Sequence, residues 1–313
     1  MSLPLWILTG PTASGKTDIG LKIANNIDIE IISADSMLVY RGMDIGTEKP
    51  SLEIRNKIPH YLIDIVDPWE DYNVGRYVKD FDAVAQSLRQ QGKQFIVVGG
   101  TALYLKAIMD GLFEGPPADW EYRNSLKAIA MEKGTHYLHT MLSEIDPETA
   151  RKLHFNDQKR IIRALEVFKT TKRRISSFQT QFGYKNPKYD CKIIAIEHDR
   201  DTLYKRIEAR VDRMFTRGLV DEVRRLVSNP LGLSRQASQA LGYKEIIDFF
   251  NRKYTFSEVS REIKQRTRRF AKRQMTWFRS FSNIHWIHAG MENDTAVLSE
   301  QFLKYFLTQK NNR

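Results

Sequence analysis

The fold of this 313-residue chain is decided near its start, by Leu5-Trp6-Ile7-Leu8-Thr9 followed by Gly10-Pro11-Thr12-Ala13-Ser14-Gly15-Lys16-Thr17. The last eight of these residues fit the phosphate-binding pattern G-x-x-x-x-G-K-[ST] in full, between a predicted strand and a helix predicted at 17–26. Small residues in such a loop let backbone N–H groups converge on phosphate oxygens, and the helix N-terminus adds its positive dipole. The pattern predicts that Lys16 holds the distal phosphate of a diphosphate-like group and that the Thr17 hydroxyl ligates Mg²⁺. It does not specify a nucleotide.

Strand and helix signals alternate through the first third of the chain. Further strands are predicted at 29–32, 61–66 and 95–98, and a helix is predicted at 74–91. Short continuous apolar runs such as Phe95-Ile96-Val97-Val98 are typical of buried parallel strands. The alternation favours an α/β fold, with a P-loop NTPase-like parallel sheet flanked by helices.

A mostly helical stretch interrupts this pattern. Gly115-Pro116-Pro117 marks a boundary, and the strand signal returns at 192–196. We therefore expect a P-loop catalytic core made of residues 1–117 and 189–313, with a mostly helical insertion domain at 118–188. The later part of the core is predicted to contain basic helices at 200–228 and 236–282, a strand at 284–287 and a helix at 294–308.

Charge is distributed unevenly along the chain. Residues 1–117 carry 11 Lys/Arg against 15 Asp/Glu, whereas residues 118–313 carry 38 against 23, a balance of +15. Such a split suggests a platform for a polyanion built on a catalytic core, and a merely solvated basic surface is the alternative.

One basic segment stands out within the second part. Residues 257–282 hold eight Lys/Arg and two Glu, and Thr255 with Glu258 fits a capping box at the start of a helix. The segment also has an approximate apolar stripe, which predicts that the helix packs on the core and turns its charges outward. The stripe consists of Val259, Ile263, Phe270 and Trp277.

Several classes of protein and site are excluded by what the sequence lacks. Its one cysteine, Cys191, rules out an internal disulfide and a cysteine-cluster zinc site, and the seven histidines show no metal-binding spacing. The apolar run at 5–8 is too short for a signal peptide, and no run approaches the roughly 20 residues that a membrane span needs. We expect a cytoplasmic monomer that makes no contact with membranes.

The loop after the second predicted strand contains a candidate general base. Ser33-Ala34-Asp35-Ser36 begins where open α/β sheets place ligands, at the carboxyl end of a strand. Asp35 would take a proton there, or would only cap neighbouring backbone groups. A Walker B acid is harder to place, since Asp64 or Asp67 would have to serve and the strand at 95–98 ends in Gly-Gly-Thr. This weakens the interpretation as an ordinary ATPase.

Several motifs, in one order, resemble the tRNA dimethylallyltransferase family (the IPP transferase family) in its bacterial form. The resemblance extends over nearly the whole chain, from residue 4 to 287. It implies transfer of a dimethylallyl group from dimethylallyl diphosphate to the exocyclic amine of the adenosine 3′-adjacent to the tRNA anticodon, with release of diphosphate. The stretches that carry it are 10–17, 35–40 with 42–47, 98–104, 163–167, 210–212 with 218–219, 241–245 and 271–278.

The resemblance also implies roles for individual residues. The phosphate loop would hold the diphosphate of the donor, Asp35 would take a proton from the adenine amine, and the Thr101 hydroxyl would bond near the bridge oxygen. The insertion domain would form the second arm of a tRNA clamp. Positions that the resemblance places against the tRNA anticodon stem-loop are Asp35, Ser36, Met37, Leu38, Thr101, Arg123, Asp157, Gln158, Lys159, Arg160 and Ile161.

The chain departs from the family pattern at two places, and two other functions compete. Gln158-Lys159 stands where the common family pattern has Pro-Gln, and Gln239 stands where some members have Arg. The tRNA contacts expected at these positions therefore stay open. A P-loop small-molecule kinase shares the strand–loop–helix opening but explains neither the basic second part nor the ordered later motifs. A nucleic-acid-dependent ATPase would need a clear Walker B acid.

Overall fold

The computed structural model describes residues 4–111, 115–178, 189–290 and 295–311, with side chains as far as Phe306. The chain forms two compact units, one made of Met1–Met109 and Tyr189–Arg313 and the other of Asp110–Lys188. The second unit begins where a helix of the first ends, before the predicted boundary at Gly115-Pro116-Pro117. Residues 179–188, where the predicted insertion ends, lie outside the described residues.

Within the described residues, six parallel strands form the sheet of the first unit, in the order β3-β2-β4-β1-β5-β6. All of β1 is buried, because it lies between β4 and β5 and helices cover both faces of a parallel sheet. The phosphate loop, which follows β1, therefore begins near the middle of the sheet edge. The strands are β1 Leu5–Thr9, β2 Glu30–Ser33, β3 His60–Tyr61, β4 Phe95–Val98, β5 Cys191–His198 and β6 Ile284–Ala289.

The predicted strand at 61–66 is wrong beyond its first residue. β3 ends at Tyr61, and Leu62 and Asp64 have left-handed φ angles of 60° and 55°, which a strand does not accommodate. The backbone that follows pairs with the loop after β2 instead, since Asp64 N–H donates to Leu38 O at 3.1 Å. This pairing holds the loop after β2 in place.

Helices cover the sheet and build the second unit. Those of the first unit are α1 Lys16–Ile27, α2 Leu52–Lys57, α3 Val74–Gln90, α4 Ala102–Asp110, which ends in the second unit, α9 Arg200–Thr216, α10 Leu219–Val227, α11 Tyr243–Phe250, α12 Phe256–Phe278 and α13 Thr295–Asn311. Those of the second are α5 Trp120–Lys133, α6 Thr135–Ile145, α7 Pro147–Lys152 and α8 Gln158–Thr171.

The two basic segments predicted to be helical are each divided into shorter elements. In the segment 200–228, Gly218, with a φ of 92°, separates α9 from α10. The segment 236–282 contains a short 3₁₀ turn, α11 and α12, and α12 begins directly after Thr255, where a helix start was predicted. The predicted capping box is confirmed, since Thr255 N–H donates to Glu258 Oε2 at 2.8 Å at the start of α12.

α12 packs on the core as predicted, but along a different stripe. Phe270 and Trp277, expected in the buried face, are only half-buried. Two polar residues occupy that face, which a search for large apolar side chains overlooks. The buried residues of α12 are Val259, Ile263, Thr267, Ala271, Gln274 and Phe278.

The described part of the second unit contains helices and no strand, and a cluster of buried apolar side chains forms its core, several of them at most 1% exposed. These include Leu126, Leu138, Leu142, Ile161 and Leu165. Across the whole described part of the chain, no helix is both long enough and apolar enough to cross a membrane.

Candidate functional site

The phosphate loop, residues 10–17, joins the buried end of β1 to the first turn of α1. Its backbone is left-handed at Ala13 (φ 63°) and at Gly15 (φ 85°), which is the N-cap of α1. A Cβ on Gly10 would lie 2.8 Å from a backbone oxygen of β5 and 2.8 Å from Ser14 Oγ, closer than such atoms approach. The loop thus curls over the end of β1, as a phosphate cradle does.

Two polar groups of the loop retain capacity for a ligand. Lys16 Nζ makes a long hydrogen bond to Pro11 O at 3.3 Å. Burial lowers the pKa of Lys16 to about 8, although the nearby charge of Asp35 acts to raise it. The buried Ser14 hydroxyl has no hydrogen-bond partner in the described part of the chain. Buried polar groups of this kind are stabilised when a bound anion supplies partners.

Two arginines of α9 hold the loop from outside. Arg206 Nε donates to Ala13 O at 2.7 Å, and Arg210 Nη1 donates to Thr12 Oγ1 at 2.8 Å. Arg210 also pairs through Nε with Glu48 at 3.1 Å. Arg210 lies in a stretch that contributed to the resemblance, but no role at the phosphate loop was predicted for either arginine. Their spacing of four places them on one face of a predicted helix, but basic residues in that pattern are usually solvated.

His198 and Gln274 support the loop from two further elements. His198, at the end of β5, lies with Nε2 2.9 Å from Ser14 O, and burial lowers its pKa so that the ring is neutral and this nitrogen donates. Gln274, on α12, accepts Thr12 N–H on Oε1 at 2.9 Å. Gln274 lies in a stretch that contributed to the resemblance, but no role was predicted for either residue, because their partners lie far away in the chain.

Asp35 lies in the loop after β2 and caps its own turn with one oxygen. Its Oδ1 accepts the backbone N–H groups of Met37 at 2.8 Å and Leu38 at 3.4 Å. Its Oδ2 has no hydrogen bond within the described residues. The two alternatives that the sequence left open are therefore compatible, since one oxygen caps the backbone and the other remains for a ligand.

Thr101, in the loop after β4, lies against the Asp35 turn. Its Oγ1 accepts the backbone N–H of Ser36 at 3.0 Å, and its own N–H donates to Ala34 O at 3.1 Å. The loops approach so closely that a Cβ on Gly99 would lie 2.2 Å from Ala34 O. Two sequence-predicted segments, 65 residues apart, are thereby joined.

One cavity of about 570 Å³ joins the phosphate loop to the Asp35 and Thr101 loops. Ala13 and Gly15 line a neighbouring cavity of about 500 Å³, which shares Lys16 and Thr17 with the first. The first cavity is also lined by Phe270, Arg210 and three arginines of α12: Arg266, Arg269 and Arg273. The sequence-predicted residues that line it are Thr12, Lys16, Thr17, Asp35, Ser36, Met37, Leu38 and Thr101.

A buried carboxylate positions another wall of the cavity. Glu222, on α10, accepts the backbone N–H groups of Asp44, Ile45 and Gly46 at 2.9, 2.8 and 3.2 Å. It also accepts the hydroxyl of Tyr243 at 2.6 Å, since burial holds the pKa of that phenol well above its usual range. Tyr243 lies in a stretch that contributed to the resemblance, but no local pattern connects it with Glu222.

In the second unit, Arg123 is held by a buried carboxylate. Its Nε and Nη2 each donate to an oxygen of Glu166 at 2.7 Å, and Glu166 is fully buried. This fork geometry fixes the direction of the guanidinium.

The second segment implied to contact tRNA divides into exposed and buried members. Lys159 and Arg160 are exposed, and Asp157 caps α8 by accepting Arg160 N–H at 3.3 Å. Gln158 is half-buried in the first turn of α8. Ile161 requires a correction, because its fully buried side chain packs in the core of this unit and offers no surface to RNA.

The two candidates for a Walker B acid are both engaged elsewhere. Asp64 pairs with Lys49 and with Arg55, and Asp67 pairs with Arg41 at 3.1 Å. Within the described residues, no group of three or more His, Cys, Asp or Glu side chains is arranged to hold a metal ion.

Comparison with known proteins assigns the chain to a family. Residues 38–281 match the family described as IPP transferase. The chain is 44% identical to the tRNA dimethylallyltransferase of Acetivibrio thermocellus over 303 residues, which covers 96% of each chain. It is 45% identical to that of Carboxydothermus hydrogenoformans over 295 residues, 94% of each chain. The chain belongs to the IPP transferase family.

Solved structures of IPP transferases share this architecture. The tRNA isopentenylpyrophosphate transferase of Bacillus halodurans superposes with a TM-score of 0.71 at 35% identity, over 99% of each chain. A eukaryotic dimethylallyltransferase acting on tRNA superposes with a TM-score of 0.78 at 26% identity, over 97% of this chain and 80% of the other. The predicted fold class and the resemblance drawn from the motifs are both confirmed.

Proposed function

We propose that this chain transfers a dimethylallyl group from dimethylallyl diphosphate to the exocyclic amine of the adenosine 3′-adjacent to the anticodon of tRNA, and releases diphosphate. The observation that carries this proposal is the shared cavity. Lys16 and Thr17 line it together with Asp35 and Thr101, so an anion-binding loop and a carboxylate face the same space. Relatives that match nearly the whole chain carry the name tRNA dimethylallyltransferase.

On the donor side, the loop amides and Lys16 bind the diphosphate. As the bond between the allylic carbon and the bridge oxygen breaks, its electrons remain on the diphosphate, and preorganised donors stabilise the growing charge. Arg210, which lines the cavity beside Thr12 and pairs with Glu48, places a guanidinium next to Lys16. The five-carbon tail fits against the apolar part of the wall, which includes Val211, Met214, Leu241, Ile263 and Phe270.

The residues present fit a Mg²⁺ ion bound together with the donor. Thr17 is the second residue of α1, beside Lys16, and would offer its hydroxyl. Because no cluster of metal ligands exists among the described side chains, diphosphate oxygens and water would supply most of the coordination, as Mg²⁺ commonly accepts. Bound there, the ion would neutralise charge on the leaving diphosphate.

On the acceptor side, the adenine amine is a weak nucleophile because its lone pair is delocalised into the ring. Asp35 takes one proton from the amine as the N–C bond forms, a contribution of about 10²–10⁴-fold for a positioned base. Its Oδ2 is suited to this step, since within the described residues the protein bonds only Oδ1. The Thr101 hydroxyl, held by Ser36, would bond near the bridge oxygen.

The RNA is bound by the basic part of the chain. Arg269 and Arg273 are exposed and line the cavity, where they would contact phosphates beside the reacting nucleotide. In the second unit, the proposed second arm of the tRNA clamp, Lys159 and Arg160 are exposed and would be available to RNA phosphates. A nucleotide in an anticodon loop is unpaired, so moving it out of the stack costs less than extruding a paired one.

The test of this proposal is the choice of donor. We expect purified protein with Mg²⁺ to release diphosphate from dimethylallyl diphosphate only when an unmodified anticodon stem-loop is present. ATP should not replace the allylic donor, since both candidate acids for water activation are ion-paired. RNA-stimulated ATP hydrolysis or phosphorylation of a small molecule, without diphosphate release from the allylic donor, would overturn the proposal.

A further inference from the structure

Gln274 of α12 connects the two loops that the proposed reaction uses. Its side chain is 6% exposed. Its Oε1 accepts the backbone N–H of Thr12 in the phosphate loop at 2.9 Å. Its Nε2 donates to the backbone oxygen of Gly100, the residue before Thr101, at 2.7 Å. One amide therefore bonds a donor in the first loop and an acceptor in the second.

The chemistry of this contact requires an amide. Gln presents a donor and an acceptor on one planar group, whereas Glu at ordinary pH presents two acceptors. A glutamate at position 274 would retain the bond to Thr12 N–H and would place a negative oxygen against Gly100 O. An apolar residue there would leave both backbone groups without this partner, and such unpaired buried groups are costly.

Gly100 permits this contact because it has no side chain. A Cβ at this position would lie 2.8 Å from Gln274 Nε2 and 3.3 Å from Lys16 Nζ. The absence of a side chain thus lets the amide and the ammonium approach the same stretch of backbone. Since Thr101 follows directly, the position of Gln274 fixes the backbone from which the Thr101 hydroxyl projects.

We infer that Gln274 is a positioning residue for the transfer: it holds the phosphate loop and the Thr101 loop at the separation that the reaction requires. The inference rests on the proposed function. It has a second consequence, because the Thr12 N–H is occupied by Gln274 and so does not belong to the set of loop amides that bind the diphosphate. The neighbouring Arg273 lines the cavity, so the same turn of α12 also contributes positive charge there.

The experiment compares Gln274→Glu and Gln274→Met with Val259→Ala in the full-length protein. Val259 is fully buried on the same helix and does not line the cavity, so its truncation reports the effect of weakened α12 packing alone. Melting temperature, RNA affinity, KM for dimethylallyl diphosphate and single-turnover rate are measured for each. Gln274→Met retains most of the side-chain volume, which keeps the helix packed.

We expect both Gln274 variants to lower the transfer rate by about 10²-fold, as small misplacements of reacting groups do, with RNA affinity unchanged. Val259→Ala should lower the melting temperature and leave the rate of the folded protein near that of the wild type. Gly100→Ala should also slow transfer, and its effect should not add to that of Gln274→Met, because the two changes break one contact.

The outcomes distinguish a failure of the positioning role of Gln274 from a failure of the proposed function. Wild-type rates in both Gln274 variants, alongside active wild-type protein, would overturn the positioning role alone. Gln274 variants whose rate falls no further than that of Val259→Ala, at a similar loss of melting temperature, would also overturn it. Wild-type protein that makes no prenylated RNA would overturn the proposed function and the role of Gln274 with it.

Discussion

Ser36 donates its backbone N–H to the Thr101 hydroxyl at 3.0 Å, and the two side-chain oxygens lie 3.4 Å apart. The contact joins the loop after β2, which carries Asp35, to the loop after β4. Because the Ser36 N–H occupies one lone pair of the Thr101 oxygen, the hydroxyl is oriented before any ligand arrives. The candidate base and the candidate hydroxyl therefore lie in two loops that are hydrogen-bonded to each other.

Thr101→Ala removes the hydroxyl and the partner of Ser36 N–H together. We expect the single-turnover rate to fall by about 10²-fold, the usual result of deleting one preorganised donor to developing negative charge. Stability should decrease by about 1 kcal/mol, measured by urea denaturation. Thr101→Ser retains the oxygen and should restore most of the rate. Equal rates for the alanine and serine variants would show that the hydroxyl does not contribute to transfer.

Asp35→Asn tests the general base with little change of structure. The amide oxygen can still accept Met37 N–H and keep the turn, but the side chain cannot take a proton. Single-turnover prenyl transfer should decrease by at least about 10²-fold, while RNA affinity decreases far less. Asp67→Asn, at an exposed ion pair with Arg41, is the matched control and should transfer normally. Normal transfer by Asp35→Asn would exclude the general-base role.

The pH dependence of diphosphate binding should reveal Lys16. Its pKa of about 8 means that the ammonium is charged below this value and is lost in the free protein as the pH rises through it. Affinity for inorganic diphosphate, measured by calorimetry, should therefore weaken above pH 8 by up to about tenfold per unit. Lys16→Arg keeps its charge throughout this range and should lack that weakening. Matching pH profiles for the two proteins would show that Lys16 does not titrate there.

The same shift predicts an effect on stability. A folded-state pKa below the unfolded value means that the unfolded chain binds more protons between the two values, so the cost of burying charged Lys16 is present at neutral pH and declines as the pH rises. Lys16→Met should remove this cost. We expect it to abolish transfer and to raise the melting temperature at neutral pH, with the gain shrinking above pH 8. A variant that is less stable at every pH would contradict this.

Salt dependence distinguishes arginines that bind RNA from those that hold the fold. Arg269 and Arg273 line the cavity, whereas their neighbour Arg268 is bound to Glu208. Binding of the stem-loop should weaken steeply with salt, and replacing Arg269 and Arg273 by Ala should reduce the slope by about one unit for each lost phosphate contact. Arg268→Ala removes one positive charge from the same helix, as Arg269→Ala or Arg273→Ala alone does, and should leave the slope unchanged. If replacing Arg269 and Arg273 leaves the slope equal to that of the wild type and of Arg268→Ala, the cavity arginines have no role in RNA binding.

The sequence predicted the parts of this fold that are encoded locally. β4 has the predicted bounds, Phe95–Val98, because a buried apolar run is recognisable without its neighbours. The loop at 10–17 was recognised for the same reason, since its pattern is contiguous. The strand predicted at 61–66 ended early because the left-handed residues Leu62 and Asp64 have side chains that give no such signal.

The support of the site depends on contacts that no local pattern contains. Gln274 bonds Thr12 across 262 residues, and Glu222 bonds Ile45 across 177. Each is a polar residue on a helix, where the pattern alone favours solvent exposure. Arg210 and Arg268 look alike in sequence, yet one holds the phosphate loop and the other pairs with Glu208. Only the packing of α9 and α12 separates these roles.

The mass of the RNA product tests the central claim most directly. The protein is incubated with Mg²⁺, dimethylallyl diphosphate and an anticodon stem-loop that carries the target adenosine, and the RNA is then examined by mass spectrometry. We predict a gain of about 68 Da, the mass of one C₅H₈ unit, located on that adenosine, as group transfer requires. The gain should be absent when ATP replaces the donor and absent with Lys16→Ala. RNA of unchanged mass, together with turnover of ATP, would contradict the account.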